Sequence, residues 1–213
     1  MKKLIVVFSF IIICSVNVLS QTIFPMGLGP FIGIKANKDV IQFENGQNPI
    51  KFADIPDFGA TLCVPLTQDK TIASNVDVGY STYSLLYKPK INISDENTYI
   101  KKYSYFSVAP SLQYSYFLLG LNVGIPIRWS IRNSSKSVEF SSSYGEDMVT
   151  NYEVRVGGIF PIIQDEMGRL NVFVIGGYML RKIDKNPPSG TSNNFSPQVA
   201  SLLLGVNYLF TLK

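Results

Sequence analysis

The sequence predicts an all-β protein: an eight-stranded antiparallel up-and-down β-barrel that spans a membrane. Three observations point to this fold. Apolar and polar residues alternate with a period of two in segment after segment, which is typical of strands with two different faces. Long and short connections alternate between these segments. Charged residues make up only 16% of the 213 residues, against about 25% in a typical soluble domain.

The alternation is clearest over residues 119 to 131. Every second residue from Leu119 to Ile131 is apolar, and the residues between them are small, polar or charged. At about 3.3 Å per residue and a tilt of about 45°, this stretch rises roughly 30 Å, near the thickness of one hydrocarbon core. The same pattern predicts seven further strands near residues 24–35, 58–67, 72–81, 105–116, 153–162, 170–183 and 201–210. Residues 170–183 are apolar on both faces, so their sides stay unassigned.

The connections between these strands fall into two classes. Those at 38–56, 89–98, 133–146 and 184–195 are long and rich in Asn, Ser, Lys and Pro, whereas those at 68–71, 117–118 and 164–169 are short. Transmembrane barrels have long loops outside and tight turns on the periplasmic side. An even strand number also brings both chain ends to the side of the short turns.

The composition of the two faces indicates which one is outside. In a soluble sandwich or lipocalin-like barrel, the face in water would be rich in Gly, Asn and Ser and short of Lys and Glu, which is unusual for a soluble surface. We therefore expect the apolar face to meet lipid and the polar face to line a narrow interior.

The predicted interior contains charged side chains that must be paired or hydrated. We expect Arg128 to pair with Asp77 or Glu153, since all three lie on polar faces. A mixed network that plugs the lumen is one interpretation, and a gated small pore is the other. The predicted interior residues are Lys35, Asp77, Arg128, Glu153 and Arg155.

Aromatic residues near strand ends suggest the girdles that such barrels have at both interfaces. They are Trp129, Tyr116, Tyr208 and Phe210, whereas Tyr80 falls in mid-strand and fits no girdle. Prolines within paired strands cannot donate to the ladder, so Pro110 and Pro126 require bulges or different strand limits.

The first 20 residues have the layout of a signal peptide. Lys2 and Lys3 precede an apolar run from Leu4 to Ile13, and cleavage is expected after Ser20. The run is too short for an uncleaved spanning anchor, which needs about 20 residues. The expected barrel domain, residues 21–213, then has a net charge near +2, since +4 for the whole chain loses two lysines. This balance gives no reason to expect a nucleic-acid partner.

The residue types present limit the chemistry. The sequence has no histidine, which excludes a Ser-His or Asp-His hydrolase. Beyond the signal segment a single cysteine, Cys63, remains, so no zinc site is expected. "GLGPFIG" lies on a strand with no helix after it, unlike a phosphate-binding loop. We therefore expect no enzymatic activity, no cofactor and no metal.

The C-terminal segment carries a resemblance. Gly205, Tyr208 and Phe210 are spaced like the C-terminal signal of bacterial outer-membrane barrels, which the assembly machinery reads, although Thr211-Leu212-Lys213 follow. With "YFSVAPSLQYSYF" and "GLNVGIPIRW", the chain resembles the outer membrane protein beta-barrel domain class and its PorT-like members. The resemblance implies a barrel in the outer membrane, in contact with its lipid, and suggests an accessory role in secretion or the envelope.

Two functions follow from these expectations. The first is a scaffold whose long loops, such as "NSSKSVEFSSSYGED", contact a protein partner or a surface. The second is a narrow channel or transporter for small solutes.

Overall fold

A computed structural model describes most of the predicted barrel domain. The described residues are 26–41, 46–69, 71–89, 98–133, 139–144, 147–184 and 196–212. The predicted signal segment, residues 1–20, lies outside them. Within these ranges no helix is long and apolar enough to cross a membrane.

The described residues form an antiparallel sheet of eight long strands and three short ones, which confirms the all-β prediction and its strand number. The long strands are β1 (Met26–Asp39), β4 (Asp57–Pro65), β5 (Ile72–Pro89), β6 (Tyr99–Tyr114), β7 (Phe117–Asn133), β9 (Asn151–Gln164), β10 (Gly168–Met179) and β11 (Val199–Leu212). The short ones are β2 (Gly46–Gln47), β3 (Lys51–Phe52) and β8 (Glu139–Tyr144).

The eight long strands form a ring. They pair in the order β1-β4-β5-β6-β7-β9-β10-β11, and β11 pairs again with β1. This last ladder runs from Met26 opposite Leu212 to Asp39 opposite Val199, so it holds along the whole of β1. Each long strand therefore has a partner on both edges, which removes the unpaired edges that an open sheet exposes. The short strands β3 and β8 extend the wall beside β1 and β7.

The short connections lie at one end of the ring. β6 and β7 are joined by a two-residue turn at Ser115 and Tyr116, not at 117–118 as expected from the sequence. Ser115 has a φ of 54°, the left-handed conformation that tight hairpins require. Met26 and Leu212 pair with each other, so the described chain ends lie together.

The alternation of burial follows the predicted faces. On β7, Leu121 and Ile125 are more than half exposed, whereas Asn122 between them is 3% exposed. The small and polar face is therefore inside, and the apolar face is outside. On β10, which the sequence left unassigned, Phe173 and Ile175 point inward and Val174 points outward.

A β-bulge interrupts the alternation on β7. Ser104 lies opposite Arg128 while Tyr105 lies opposite Pro126, so Ile127 is an extra residue on β7. The bulge expected at Pro126 is thus confirmed. The prediction of a bulge at Pro110 was wrong, because the register of β6 against β7 is the same on both sides of this residue.

The bulge reverses the faces beyond it, because one extra residue shifts the period of two. Trp129 now packs against the interior cluster of Tyr83, Tyr103 and Tyr105. The expectation that Trp129 belongs to an outer girdle was therefore wrong.

Aromatic rings on the outer face form rows at two levels. Toward the short turns, Tyr116 stacks on Phe160 with centroids 5.8 Å apart. Toward the long loops, Phe58 lies opposite Tyr80, which lies opposite Phe106. Tyr80 lies in the middle of β5, as expected, since this strand runs from Ile72 to Pro89. It nevertheless belongs to the aromatic row at the end of the exposed apolar surface, because β5 extends beyond that surface.

The single tryptophan makes the inward turn of Trp129 testable. When the protein is folded into vesicles with brominated acyl chains, we expect little quenching of Trp129 fluorescence, because its ring lies inside the barrel wall. As a matched control, Ile125→Trp in a Trp129→Phe background places the ring on the exposed outer face and should be quenched strongly. Strong quenching of Trp129 itself would mean that β7 has no bulge.

Candidate functional site

The inner faces of β1, β4, β5 and β9 bring five charged side chains together in the middle of the ring. Of the residues predicted for the interior, Lys35 on β1, Asp77 on β5, and Glu153 and Arg155 on β9 line one cavity with Asp57 of β4. Lys35 and Glu153 are 3% and 2% exposed. Charges so enclosed must be compensated within the protein.

Two ion pairs provide most of this compensation. Lys35 Nζ lies 2.5 Å from Asp57 Oδ2, and Arg155 Nη1 lies 3.4 Å from Asp77 Oδ2. The Thr61 hydroxyl also donates to Asp77, at 2.7 Å. The carboxylate Asp77 therefore has a guanidinium partner, as expected, but the partner is Arg155.

Arg128 is not part of this network. It was predicted to point inward and to pair with Asp77 or Glu153, and that prediction was wrong. The bulge at Ile127 turns Arg128 to the outer face, where its side chain is exposed. The alternation that placed it inside holds only as far as Pro126.

Glu153 is held by hydrogen bonds from three strands. It accepts from the Tyr83 hydroxyl at 2.9 Å, from Asn122 Nδ2 at 3.0 Å and from the Ser201 hydroxyl at 2.7 Å. Three such donors, one of them on a fully buried ring, stabilise a carboxylate that has no cation within ion-pair distance in the described structure.

Tyr83 connects the separate parts of the network. Its hydroxyl binds Glu153, while Lys35 Nζ lies 4.0 Å from the centre of its ring. Tyr105 packs edge-on against the same ring, with centroids 5.8 Å apart. The sequence analysis missed Tyr83 because the predicted third strand ended near Ser81, whereas β5 continues to Pro89.

Asp57 was also missed by the sequence analysis. Besides Lys35, it accepts from the Ser81 hydroxyl at 2.9 Å and from the Thr82 backbone N–H at 3.0 Å. At this end of the β4–β5 ladder, the Asp57 carboxylate thus accepts the backbone hydrogen bond that a backbone carbonyl would otherwise accept. The sequence signal was an acidic residue directly before an alternating segment, which is equally typical of a loop.

The space left within the network is small. The cavity among these residues has a volume of about 20 Å³, enough for a single water molecule. The interior cluster around Tyr83 continues on the long-loop side of this cavity with Leu85, Tyr87, Met148 and Ile183. Tyr87 donates to Asp39 at 3.0 Å there. Both layers fill the lumen with side chains.

The short-turn end of the lumen has its own polar contacts. Asn171 donates to Asn207 at 2.7 Å, and Arg169 Nη2 lies 3.0 Å from the sulfur of the buried Cys63. A cavity of about 70 Å³ adjoins Cys63 and Arg169. Among the described residues, no three His, Cys, Asp or Glu side chains converge on a point where a metal ion would fit.

The residues of the predicted C-terminal signal lie on β11, between β10 and β1. Phe210 is half exposed on the outer face, and its ring packs edge-on against Tyr208, with centroids 4.8 Å apart. A Cβ at Gly205 would lie 2.4 Å from the backbone oxygen of Ile32, so only glycine fits there without a shift. The reading of this segment by an assembly machinery stays a prediction.

No protein-family model and no curated protein matches the sequence. Similar solved structures include Ail, the attachment invasion locus protein of Yersinia pestis. The sequences are 13% identical, the match covers 88% of this chain and 100% of that chain, and the TM-score is 0.43. Ail in complex with the heparin analogue sucrose octasulfate gives 13% identity, the same coverage and a TM-score of 0.39.

The outer membrane protein OprG from Pseudomonas aeruginosa is similar at 9% identity, with 87% and 93% of the two chains covered and a TM-score of 0.40. At such identities the likeness concerns the fold alone. The resemblance to PorT-like proteins stays a prediction.

The network predicts a specific pattern of stability. Arg155→Leu removes the ion-pair partner of Asp77 and should lower the free energy of unfolding by about 3 kcal/mol. Adding Asp77→Asn to that variant should recover part of the lost free energy of unfolding, because the Asp77 carboxylate is then no longer left without its partner. Urea unfolding of the protein in neutral phosphatidylcholine vesicles measures both effects.

Arg128→Leu is the matched control, since it removes a guanidinium from the exposed outer face. Its effect in the same neutral vesicles should stay within about 0.5 kcal/mol, as for most surface substitutions. A loss as large as that of Arg155→Leu would show that Arg128 faces the lumen after all.

Proposed function

We propose that this chain is an integral outer-membrane β-barrel with a closed lumen, and that it acts as a scaffold that presents its long-loop end to a protein partner or a surface. The observation that supports this proposal most is the pairing of an exposed apolar outer face with an interior filled by polar and charged side chains. Soluble proteins rarely expose contiguous apolar surface of this extent.

The length of the apolar band suits a bilayer. On β6 it extends from Phe106 to Tyr114, and on β7 from Phe117 to Ile125, so each strand contributes nine residues. Tilted strands need about 9–11 residues to cross the hydrocarbon core. Continuous pairing around the ring also gives the backbone N–H and C=O groups hydrogen-bond partners, which lipid cannot provide.

The filled lumen favours a scaffold over a channel. The central cavity has room for about one water, and the ion pairs around it join β1 to β4 and β5 to β9. Meanwhile β3 and β8 raise the wall on the long-loop side. That raised end is where a partner would bind.

Charge on the outer face should prevent insertion. Leu121 is half exposed and lies at the middle of the apolar band on β7, so Leu121→Lys should cost about 2–4 kcal/mol of insertion free energy. Failure of insertion would be detected as loss of heat-modifiable migration in electrophoresis and as absence of the protein from the outer-membrane fraction. Val40→Lys, an apolar-to-lysine change at an exposed residue outside the strands, should leave both the migration and the fractionation unchanged. Normal insertion of the Leu121→Lys protein would contradict a lipid-facing β7.

Conductance separates the scaffold from the solute channel. In planar bilayers the folded wild-type protein should give no current above that of the protein-free bilayer, because its lumen is occluded. Steady unitary currents that scale with salt concentration would instead favour the channel.

A further inference from the structure

Aromatic side chains form part of the inner wall on the long-loop side of the charged network. Tyr83 and Tyr87 of β5, Tyr103 and Tyr105 of β6, and Trp129 of β7 pack in one cluster. We call these five rings the aromatic cup. Three neighbouring strands contribute them, so the cup covers one side of the lumen. Concave surfaces lined by aromatic rings with a few polar groups are typical of small-molecule sites.

Two side chains that do not come from the ring of strands fill this cup. Met148 and Ile183 are each 1% exposed and pack in the same cluster, yet both lie outside the strands. The Ile183 carbonyl accepts from the Val149 N–H at 2.8 Å, and the Ile183 N–H donates to the Pro197 carbonyl at 3.0 Å. These bonds run between connecting segments. Met148 and Ile183 can therefore leave the cup without breaking a ladder of the ring.

Two rings of the cup carry a buried polar atom without a hydrogen-bond partner. Among the described residues, neither the Tyr105 hydroxyl nor Trp129 Nε1 has a partner. Tyr105 is 1% exposed. The hydroxyls of the other three tyrosines of the cup donate to carboxylates. A buried donor without a partner costs free energy, and native proteins contain few of them. The two atoms therefore point to a hydrogen-bond acceptor that binds in the cup.

Asn151 adds an acceptor beside Tyr105. Both side chains border Gly124, since a Cβ there would lie 3.0 Å from Tyr105 Cδ1 and 3.2 Å from Asn151 Cβ. Asn151 Nδ2 donates to the Tyr83 hydroxyl at 3.3 Å. Its Oδ1 is buried and has no partner in the part of the chain that the structure describes. The cup thus presents two donors and one acceptor among aromatic rings.

We propose that the aromatic cup binds a small aromatic molecule with hydroxyl or carbonyl oxygens, which displaces Met148 and Ile183. An indole N–H only donates, so Trp129 requires an oxygen acceptor on the ligand, whereas the Tyr105 hydroxyl both donates and accepts. The ring of the ligand packs edge-on or offset against the rings of the cup. The flexible thioether of Met148 is suited to fill the same space and to leave it.

This inference goes beyond the proposed function and does not depend on it. The cup lies inside the ring, so the site exists whether or not the long-loop end presents a partner. The charged network remains in place on the short-turn side of the cup. A bound ligand therefore opens no path through the lumen.

The experiment titrates para-hydroxyacetophenone into the protein folded in phosphatidylcholine nanodiscs, with isotope-labelled methionine methyl groups read by NMR. Heat-modifiable migration first confirms that each variant is folded. The methyl signal of Met148, assigned from its loss in Met148→Leu, should shift to saturation, because the thioether leaves the tyrosine rings. The signal of Met167, which is exposed at the short-turn end, should stay in place.

The combined variant Tyr105→Phe, Trp129→Phe removes both donors and keeps a ring at each position. It should bind the probe about tenfold more weakly than the wild type, as the loss of two hydrogen bonds implies. Tyr87→Phe is the matched control, because its hydroxyl already donates to Asp39 at 3.0 Å. It should bind within about twofold of the wild type. Ile183→Ala should bind more tightly than the wild type, because the probe then has less to displace.

Four results would overturn the proposal. The first is the absence of a saturable shift of the Met148 signal, and the second is an equal shift of the Met167 signal, which would indicate partition into the lipid. The third is equal binding by the combined variant and the wild type. The fourth is equal affinity for para-cymene, in which methyl and isopropyl groups replace the hydroxyl and acetyl groups, since the polar atoms of the cup would then select nothing.

Discussion

The rest of the structure depends on the pairing of β1 with β11, which closes the sheet. A strand has a side-chain period of two, so a closed ring divides its residues strictly between an enclosed lumen and an outer surface. Two residues of these paired strands show the result. Lys35 on β1 is buried in the interior network, whereas Leu204 on β11 is about half exposed on the outer surface. Closure also gives every long strand two partners, which a surrounding without water requires.

An eight-stranded ring leaves room only for side chains, so its polar interior has to compensate itself. The two ion pairs and the hydrogen bonds to Glu153 do so across strands that are far apart in sequence, as between Arg155 and Asp77. Such contacts fix the register of the strands, since a slip by one residue would turn each charge to the outer face. The same packing leaves a central cavity of about 20 Å³. The same side chains therefore both pair the interior charges and fill the centre of the ring.

The bulge at Ile127 links the inside of the barrel to its outer surface. One extra residue turns Trp129 inward, where it packs on the tyrosine cluster, and turns Arg128 outward beside Lys102. It also ends the apolar band on β7 at the level where β6 changes from Phe106 to Ser104. A single local irregularity thus contributes to the packing inside the ring and sets the edge of the apolar band on β7. Bulges near barrel rims commonly redirect side chains in this way.

The sequence by itself determined the strand number, the antiparallel order, the class of each connection and the facing of most residues, because period-two alternation is a local property of the chain. It also indicated Lys35, Asp77, Glu153 and Arg155 as polar-face residues. Only the tertiary structure decided their partners, since the stagger between strands selects Asp57 for Lys35 and Arg155 for Asp77. It likewise decided the place of Arg128 and Trp129, because a bulge is defined by the register against the neighbouring strand. Tyr83 entered the network for the same reason: the length of β5 is set by its pairing with β6 and not by its own alternation.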